Sequence, residues 1–529
     1  MPYGPLLTRQ FGPNPKGSKL TIQEMDDNLL YLSESIASGG GGAAFPFTGS
    51  AEISGSVVIN SQLQLGVGTG ASPYTPSGST YNVALGGYRN LRNNTTGIGN
   101  IALGFSALES NTEGSFNIGM SLFTLGSNTT GERNIALGPS ALYSNTEGSS
   151  NVALGYSALR SNTTGNTNIA IGQRTLYSNT AGYGNVALGK DVLYNNTTGN
   201  NNVALGLEAL YYNTTGYYNV ALGSDALRSN ISGSNNVALG SNALRSNTTG
   251  SNNIALGNAA LRDNTTGYQN IALGYGALNK NTTGIGNIAL GPVALNSNTD
   301  GFANVAIGLS ALRSNTEGGD NVALGRNALN SNTTGNNNVA LGPRALYSNT
   351  IGTNNVALGR DTLRDNIGGS QNVALGTNAL LLNTSGWNNV ALGIGALFQN
   401  TTGDNNIALG NSALLLNTTG EKNVALGGVS LNSNTTGGYN VALGIKALSN
   451  NAVGSYNSGL GYNVQSGNYS GSVMLGAEAT ATTNGQLALG SINHPIGPVS
   501  TALSASSTHA LNVNLNGNIY QIMLISGSI

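Results

Sequence analysis

Apolar and polar positions recur along most of this chain with one short period. With the Asn of each N-[VI]-A-[LI]-G run taken as position 0, that Asn falls at Asn100, Asn117, Asn134, Asn151 and onward to Asn457, always 17 residues apart. Asn82 opens one earlier unit at a spacing of 18. The consensus unit is N-V-A-L-G-x-x-A-L-x-x-N-T-T-G-x-x. Large aliphatic residues at +1 and +3 flank a small Ala at +2, and this period of two predicts a β-strand. Leu at +8 predicts a second inward-facing segment. Gly at +4 and +14, with the Asn-Thr-Thr-Gly run, predicts corners. A unit this short cannot hold a helical hairpin repeat, which takes about 34 residues. Each unit therefore reads as one coil of a β-solenoid, or β-roll, of about 23 coils.

The strictness of the spacing supports that reading. Stacked coils place equivalent residues about 4.8 Å apart, so every column becomes a ladder and an insertion breaks bonds on both sides. Asn at 0 and +11 predicts two amide ladders. In the unit from Asn202, Val203 and Leu205 are expected to share the core face with Leu210. The Ala at +2, such as Ala153, is expected to face outward. A lone coil buries too little to fold, so stacking is required. A thin core with a small apolar column outside it predicts close packing of chains, and hence a parallel homotrimer; the alternative is a monomeric solenoid with the Ala column inside. The coils would span roughly 110 Å.

The ends break the period. Residues 1–42 read as an attachment segment. Within it a helix is expected over 19–38, with Thr21 and Glu24 as a capping box. Ile22, Met25, Leu29, Leu32 and Ile36 are spaced as a heptad seam for trimerisation or attachment. Gly39 to Gly42 form a joint, and 43–81 a β lead-in. The 17-residue shaft covers 82–471. Ser472 then starts a unit 15 residues after Asn457, and Gln486 starts another 14 later, giving shorter coils over 472–490. Residues 491–529 are expected to form a β cap or tip, with Asn516-Gly517 at the turn of a hairpin.

Composition narrows the function. Only 8% of residues are charged and the net charge is −1, so no electrostatic footprint for nucleic acid is present. The absence of Cys removes disulfides and thiolate metal sites. No secretory h-region opens the chain and no apolar run of about 18 residues occurs, so membrane insertion is not expected. The two histidines, His494 and His509, lie in the C-terminal tail, and no column is acidic. Glycine corners such as Gly223 are not followed by a helix and do not read as phosphate loops. No catalytic residue, metal or cofactor is expected, and the chain does not read as an enzyme. The N-x-T sequons fall at +11 and would need a secretory pathway to be glycosylated.

One column is bulky and variable. Position +9 carries Tyr177, Tyr194, Tyr211, Arg228, Arg245 and Arg262, thickened nearby by Tyr212, Tyr217 and Tyr218. Such side chains could stack on sugars and bond their hydroxyls, making this the candidate contact for a host glycan or protein receptor. Alternatively, they shield strand edges and keep the shaft from aggregating. Trp387 reads as a packing residue.

The stretch SVMLGAEATATTNG (472–485), followed by QLALG, resembles the fourteen-residue head repeat of YadA-like trimeric adhesins. The resemblance implies a trimeric, left-handed, parallel β-roll over roughly residues 82–490. The 17-residue units then look like a lengthened relative, with NTTG added at one corner. KGSKLTIQEMDDNLLYL and NVNLNGNIYQIMLI are similar to the ends of phage tail-fibre-type proteins. That similarity implies a trimer attached through its N-terminus to virion or baseplate proteins, with the C-terminus pointing outward. The chain is expected to depart from trimeric autotransporters, because neither a signal peptide nor a membrane-anchor barrel is read from its sequence. The expectation is a structural fibre of a virion, of the tail or neck fibre type. An extracellular, cell-surface bacterial adhesin is the alternative. An ice-binding solenoid is a third reading, weakened because +13 varies to Glu113, Glu147, Ala181 and Glu317.

Overall fold

The computed structural model describes residues 63–65, 81–85, 89–491, 493–494, 510–515 and 518–523. The expected helix over 19–38, with Ile22, Met25, Leu29, Leu32 and Ile36, lies outside them, as does most of the lead-in.

Each unit contributes one three-residue strand to a single parallel sheet. Strands are numbered in chain order. β1 (Leu63–Leu65) pairs with β2 (Val83–Leu85), and an in-register stack of one strand per coil continues to β26 (Leu487–Leu489). Equivalent residues pair throughout: Val220 with Val237, Ala221 with Ala238, Leu222 with Leu239. The chain is thus an all-β parallel solenoid with 17-residue spacing, and no helix occurs among the described residues. From β2 to β26 the stack rises roughly 115 Å.

The strand faces the opposite way from the expectation. Ala204 is 1% exposed, whereas Val203 and Leu205 on either side are 39% and 47% exposed. The same holds for Ala153, which is fully buried between half-buried Val152 and Leu154. The reason is the thinness of the coil. The +2 residue lies directly against the +7 residue of its own coil and the +8 Leu of the coil before. Where +2 is Gly119, an added Cβ would stand 3.0 Å from Thr124 Oγ1 and 3.6 Å from Leu108 Cγ. Only a small side chain fits there, so Ala goes in and Val and Leu go out. The interior holds Ala at +2 and +7, Leu at +8, and the two Asn columns.

Backbone bonding explains the strict period. In the coil from Asn236, Val237 N–H donates to Asn253 O at 2.8 Å in the next coil, and Gly240 N–H donates to Leu222 O at 2.8 Å in the previous one. Three non-glycine positions per coil are left-handed, here Asn242, Leu244 and Asn252, with φ of 58, 52 and 59°. Each costs roughly 1–2 kcal/mol in isolation. Each is held because its N–H then points at a neighbouring coil: Asn242 to Ser224 O, Leu244 to Ala260 O and Asn252 to Ser234 O, each at 3.0 Å.

Both amide ladders are present. Asn236 Nδ2 donates to Asn219 Oδ1 at 3.1 Å and to Gly250 O at 2.9 Å, while Asn236 N–H also donates to Asn219 Oδ1 at 3.0 Å. Asn247 Nδ2 donates to Asn230 Oδ1 at 2.8 Å and to the same Gly250 O at 2.9 Å. The +14 carbonyl therefore ties the two ladders together in every such coil. The two corner glycines have different causes. Gly240 at +4 has φ of 132°, a conformation that side chains disfavour. Gly250 at +14 is excluded from substitution by crowding: a Cβ would collide with Asn247 Oδ1 and Gly267 O.

Beyond the stack, β27 (Ala510–Leu515) and β28 (Asn518–Met523) pair antiparallel with Leu515 opposite Asn518. This is the hairpin expected around Asn516-Gly517.

Candidate binding surfaces on the shaft

Turning Val and Leu outward creates the largest surface feature. From β2 to β26, positions +1 and +3 are aliphatic at every coil except for Ser458. Their side chains are half-buried or exposed along the whole length. Past the +4 corner, the +5 column adds exposed Phe105, Leu122, Tyr156, Leu207, Tyr275 and Leu309. Elsewhere the same column is polar, with Lys190, Arg326 and Arg360 exposed, so the continuous apolar surface is the strand face itself.

The +9 column is brought together as expected, in a form that closes it. Tyr177 and Tyr194 stack at 5.0 Å and 3°, and Tyr194 and Tyr211 at 5.2 Å and 5°. The Arg160 guanidinium covers one end, 5.6 Å from the Tyr177 ring and donating to its hydroxyl at 2.9 Å. Arg228 covers the other end, 5.4 Å from the Tyr211 ring. The ring faces are occupied by one another, leaving edges and hydroxyls to solvent. Burial in this stack raises the Tyr211 phenol above its ordinary value. Arg228 is held by Glu208 at 2.7 Å, which raises its pKa, and Arg262 by Asp263 at 2.8 Å. Arg245 is exposed. Tyr212 packs edge-on against Tyr211, and Tyr217 against Tyr218. Trp387, which the sequence placed in packing, is 46% exposed.

A second aromatic column escaped the sequence reading. At +16, Lys422 Nζ lies 4.7 Å from the Tyr439 ring and donates to its hydroxyl at 2.7 Å. Tyr439 in turn stacks on Tyr456 at 4.9 Å and 14°. The hydrogen bond to Tyr439 raises the Lys422 pKa.

Ion pairs run along another column, though Arg174 Nε, Asp191 Oδ1 and Asp361 Oδ1 are buried without a hydrogen-bond partner. Arg174 pairs with Asp191 at 2.7 Å and Arg344 with Asp361 at 2.6 Å, both along the +6 column. Among the described residues, no group of three or more His, Asp or Glu is placed to hold a metal ion. No helix among them is long and apolar enough to cross a membrane. The sequon Asn residues at +11 are fully buried with their amide nitrogens bonded twice, as at Asn247, so the folded coils cannot present them for glycosylation. The +12 threonines spend their hydroxyls inside the stack: Thr248 Oγ1 donates to Thr265 O at 3.0 Å. Comparison with family models, with curated proteins and with solved structures found no match to this chain.

Proposed function

We propose that the chain is a structural fibre of a virion, of the tail or neck fibre type, in which parallel copies pack through the outward Val/Leu face as a homotrimer. The observation that carries this reading is that unbroken face. Two aliphatic rows along roughly 115 Å amount to on the order of 1,000 Å², beyond the few hundred Å² that monomers leave exposed. A stable interface takes about 800 Å² from each partner. A partner must match an aliphatic row every 4.8 Å or so, and a parallel copy of the same chain does this at every coil.

In this reading the shaft is a stiff spacer. Its role is mechanical and adhesive, not catalytic. The N-terminal segment attaches to virion or baseplate proteins, and the distal part meets a host surface. The resemblance of 472–490 to YadA-like head repeats supports the same trimer for a cell-surface adhesin, the second reading. Tied hydroxyls at +12 leave an ice-binding face without its regular array. Antibody labelling of intact particles in electron micrographs tests the assignment. Label along fibres projecting from virions is expected, and label confined to bacterial surfaces overturns it in favour of the adhesin.

A further inference from the structure

The two aromatic columns end differently. The mid-shaft stack is closed by Arg160 at one end and Arg228 at the other. The distal stack is closed below by Lys422 and, among the described residues, by no side chain above. The column continues through Tyr456 into Gly471 and Gly485. Tyr456 N–H donates to Gly438 O at 3.0 Å, Gly471 N–H to Ser455 O at 2.9 Å and Gly485 N–H to Ser470 O at 2.9 Å, one bonding pattern in successive coils. The rings of Tyr439 and Tyr456 stack along the direction in which coils succeed one another. The far face of Tyr456 therefore looks onto two positions that have no side chain. Its exposure rises accordingly, from 40% at Tyr439 to 64% at Tyr456. A Cβ built at Gly471 meets only the Gly485 backbone at 4.0 Å, and one built at Gly485 meets no atom within 4 Å.

Polar groups line one side of this opening. Ser455 N–H donates to Ser470 Oγ at 3.0 Å, and Ser470 N–H to Asn484 Oδ1 at 2.8 Å. Asn484 is exposed, and its amide nitrogen is a donor without a partner among the described residues. Between 457 and 490 the sole charged residue is Glu478, engaged with His494 at 3.2 Å. The surroundings suit a neutral ligand with one apolar face and a rim of hydroxyls.

We propose that the open face of Tyr456, with the Asn484 amide in the neighbouring column, is a subsite for a neutral hexopyranose unit of a surface glycan. The sugar's axial C–H face lies on the ring, and the amide donates to a ring-edge hydroxyl. This inference rests on the reading of the distal part as the host-contacting end.

The test is saturation-transfer NMR on the full chain with three probes: methyl β-D-galactopyranoside, methyl β-D-glucopyranoside and methyl α-D-mannopyranoside. At least one is expected to receive saturation at its ring protons. Tyr456→Ala is expected to weaken that binding about tenfold or more, the scale of one lost stacking contact. Gly471→Lys is expected to do the same by capping the ring as Lys422 caps Tyr439, because Lys422 occupies this column at φ 55° without disturbing it. Tyr211→Ala should leave binding unchanged. No transfer to any of the three probes overturns the proposal, as does transfer that survives both Tyr456→Ala and Gly471→Lys. Saturation of adenosine in place of the glycosides overturns it in favour of an aromatic ligand. Sedimentation of the same samples separates the two readings. Protein at the trimer mass that binds no glycoside loses this inference alone, and monomeric protein loses the fibre reading.

Discussion

The coils of the shaft and the two coils that end the stack share a strand and a first corner but not an amide ladder. Through the shaft the Asn side chains donate to those of the coil before, as Asn253 does to Asn236 and Asn247 to Asn230. At the end, Ser472 and Gln486 take position 0. Ser472 N–H still donates to Asn457 Oδ1 at 3.0 Å, but its Oγ turns to Thr483 O at 3.1 Å. The other ladder closes where Ser466 Oγ donates to Asn451 Oδ1 at 3.1 Å. Meanwhile Val473 pairs with Leu487 as any shaft strand would, and Gly476 keeps a positive φ of 98°. Strand stacking and ladders are therefore separable. The strand belongs to V-A-L-G, and the ladders to the Asn residues at 0 and +11. Where Ser472 and Gln486 replace the first Asn and the N-T-T-G run is lost, the ladders end and the strand stays intact. In the shaft, aligned buried amides polarise one another and leave few unpaired polar groups in a core of one Leu and two Ala per coil.

Five substitutions break or sharpen that contrast, read by native-state hydrogen exchange of the flanking coils. Gly250→Ala has the largest expected effect, on the order of 4 kcal/mol, because its Cβ meets a backbone carbonyl and a buried amide oxygen together. Asn253→Leu should cost about 3 kcal/mol, since it removes the donor to Gly267 O and Asn236 Oδ1 and strands the Asn270 N–H. Ala238→Val is expected to cost about 2 kcal/mol by overfilling the space between +2 and its neighbours, while the adjacent outward Leu239→Ala leaves coil opening nearly unchanged. Ser472→Ala, at the ladder-free end, should cost about 1 kcal/mol and protect its neighbours as before. Equal losses at Asn253 and Ser472 would erase the distinction between the two kinds of coil.

Much of this was legible in the chain. Spacing announced the coil, Asn at 0 and +11 announced the ladders, and Asn516-Gly517 sat between the strands of the hairpin. The orientation of the strand was not legible. Sequence reasoning puts the largest aliphatics inside, but here the opposite wall of the coil stands too close to +2, a distance that only coordinates show. The left-handed positions were hidden because no one residue type marks them: Asn242, Leu244 and Asn252 in one coil correspond to Val293, Leu295 and Ala303 in another. Tyr456 was missed for a related reason. Its open face depends on Gly471 and Gly485 falling in its column, and they do so where the period shortens and columns can no longer be counted by 17. The +9 rings were visible as a column, but their mutual stacking was not.

The central claim is that the outward Val/Leu face joins copies of this chain, and sedimentation equilibrium tests it most directly. The full chain is expected at three times 53.5 kDa, and Leu222→Asp with Leu239→Asp at a lower mass with unchanged circular dichroism, because both side chains point away from the coil interior. A wild-type mass of 53.5 kDa, or a trimer that the double substitution leaves whole, would contradict the account.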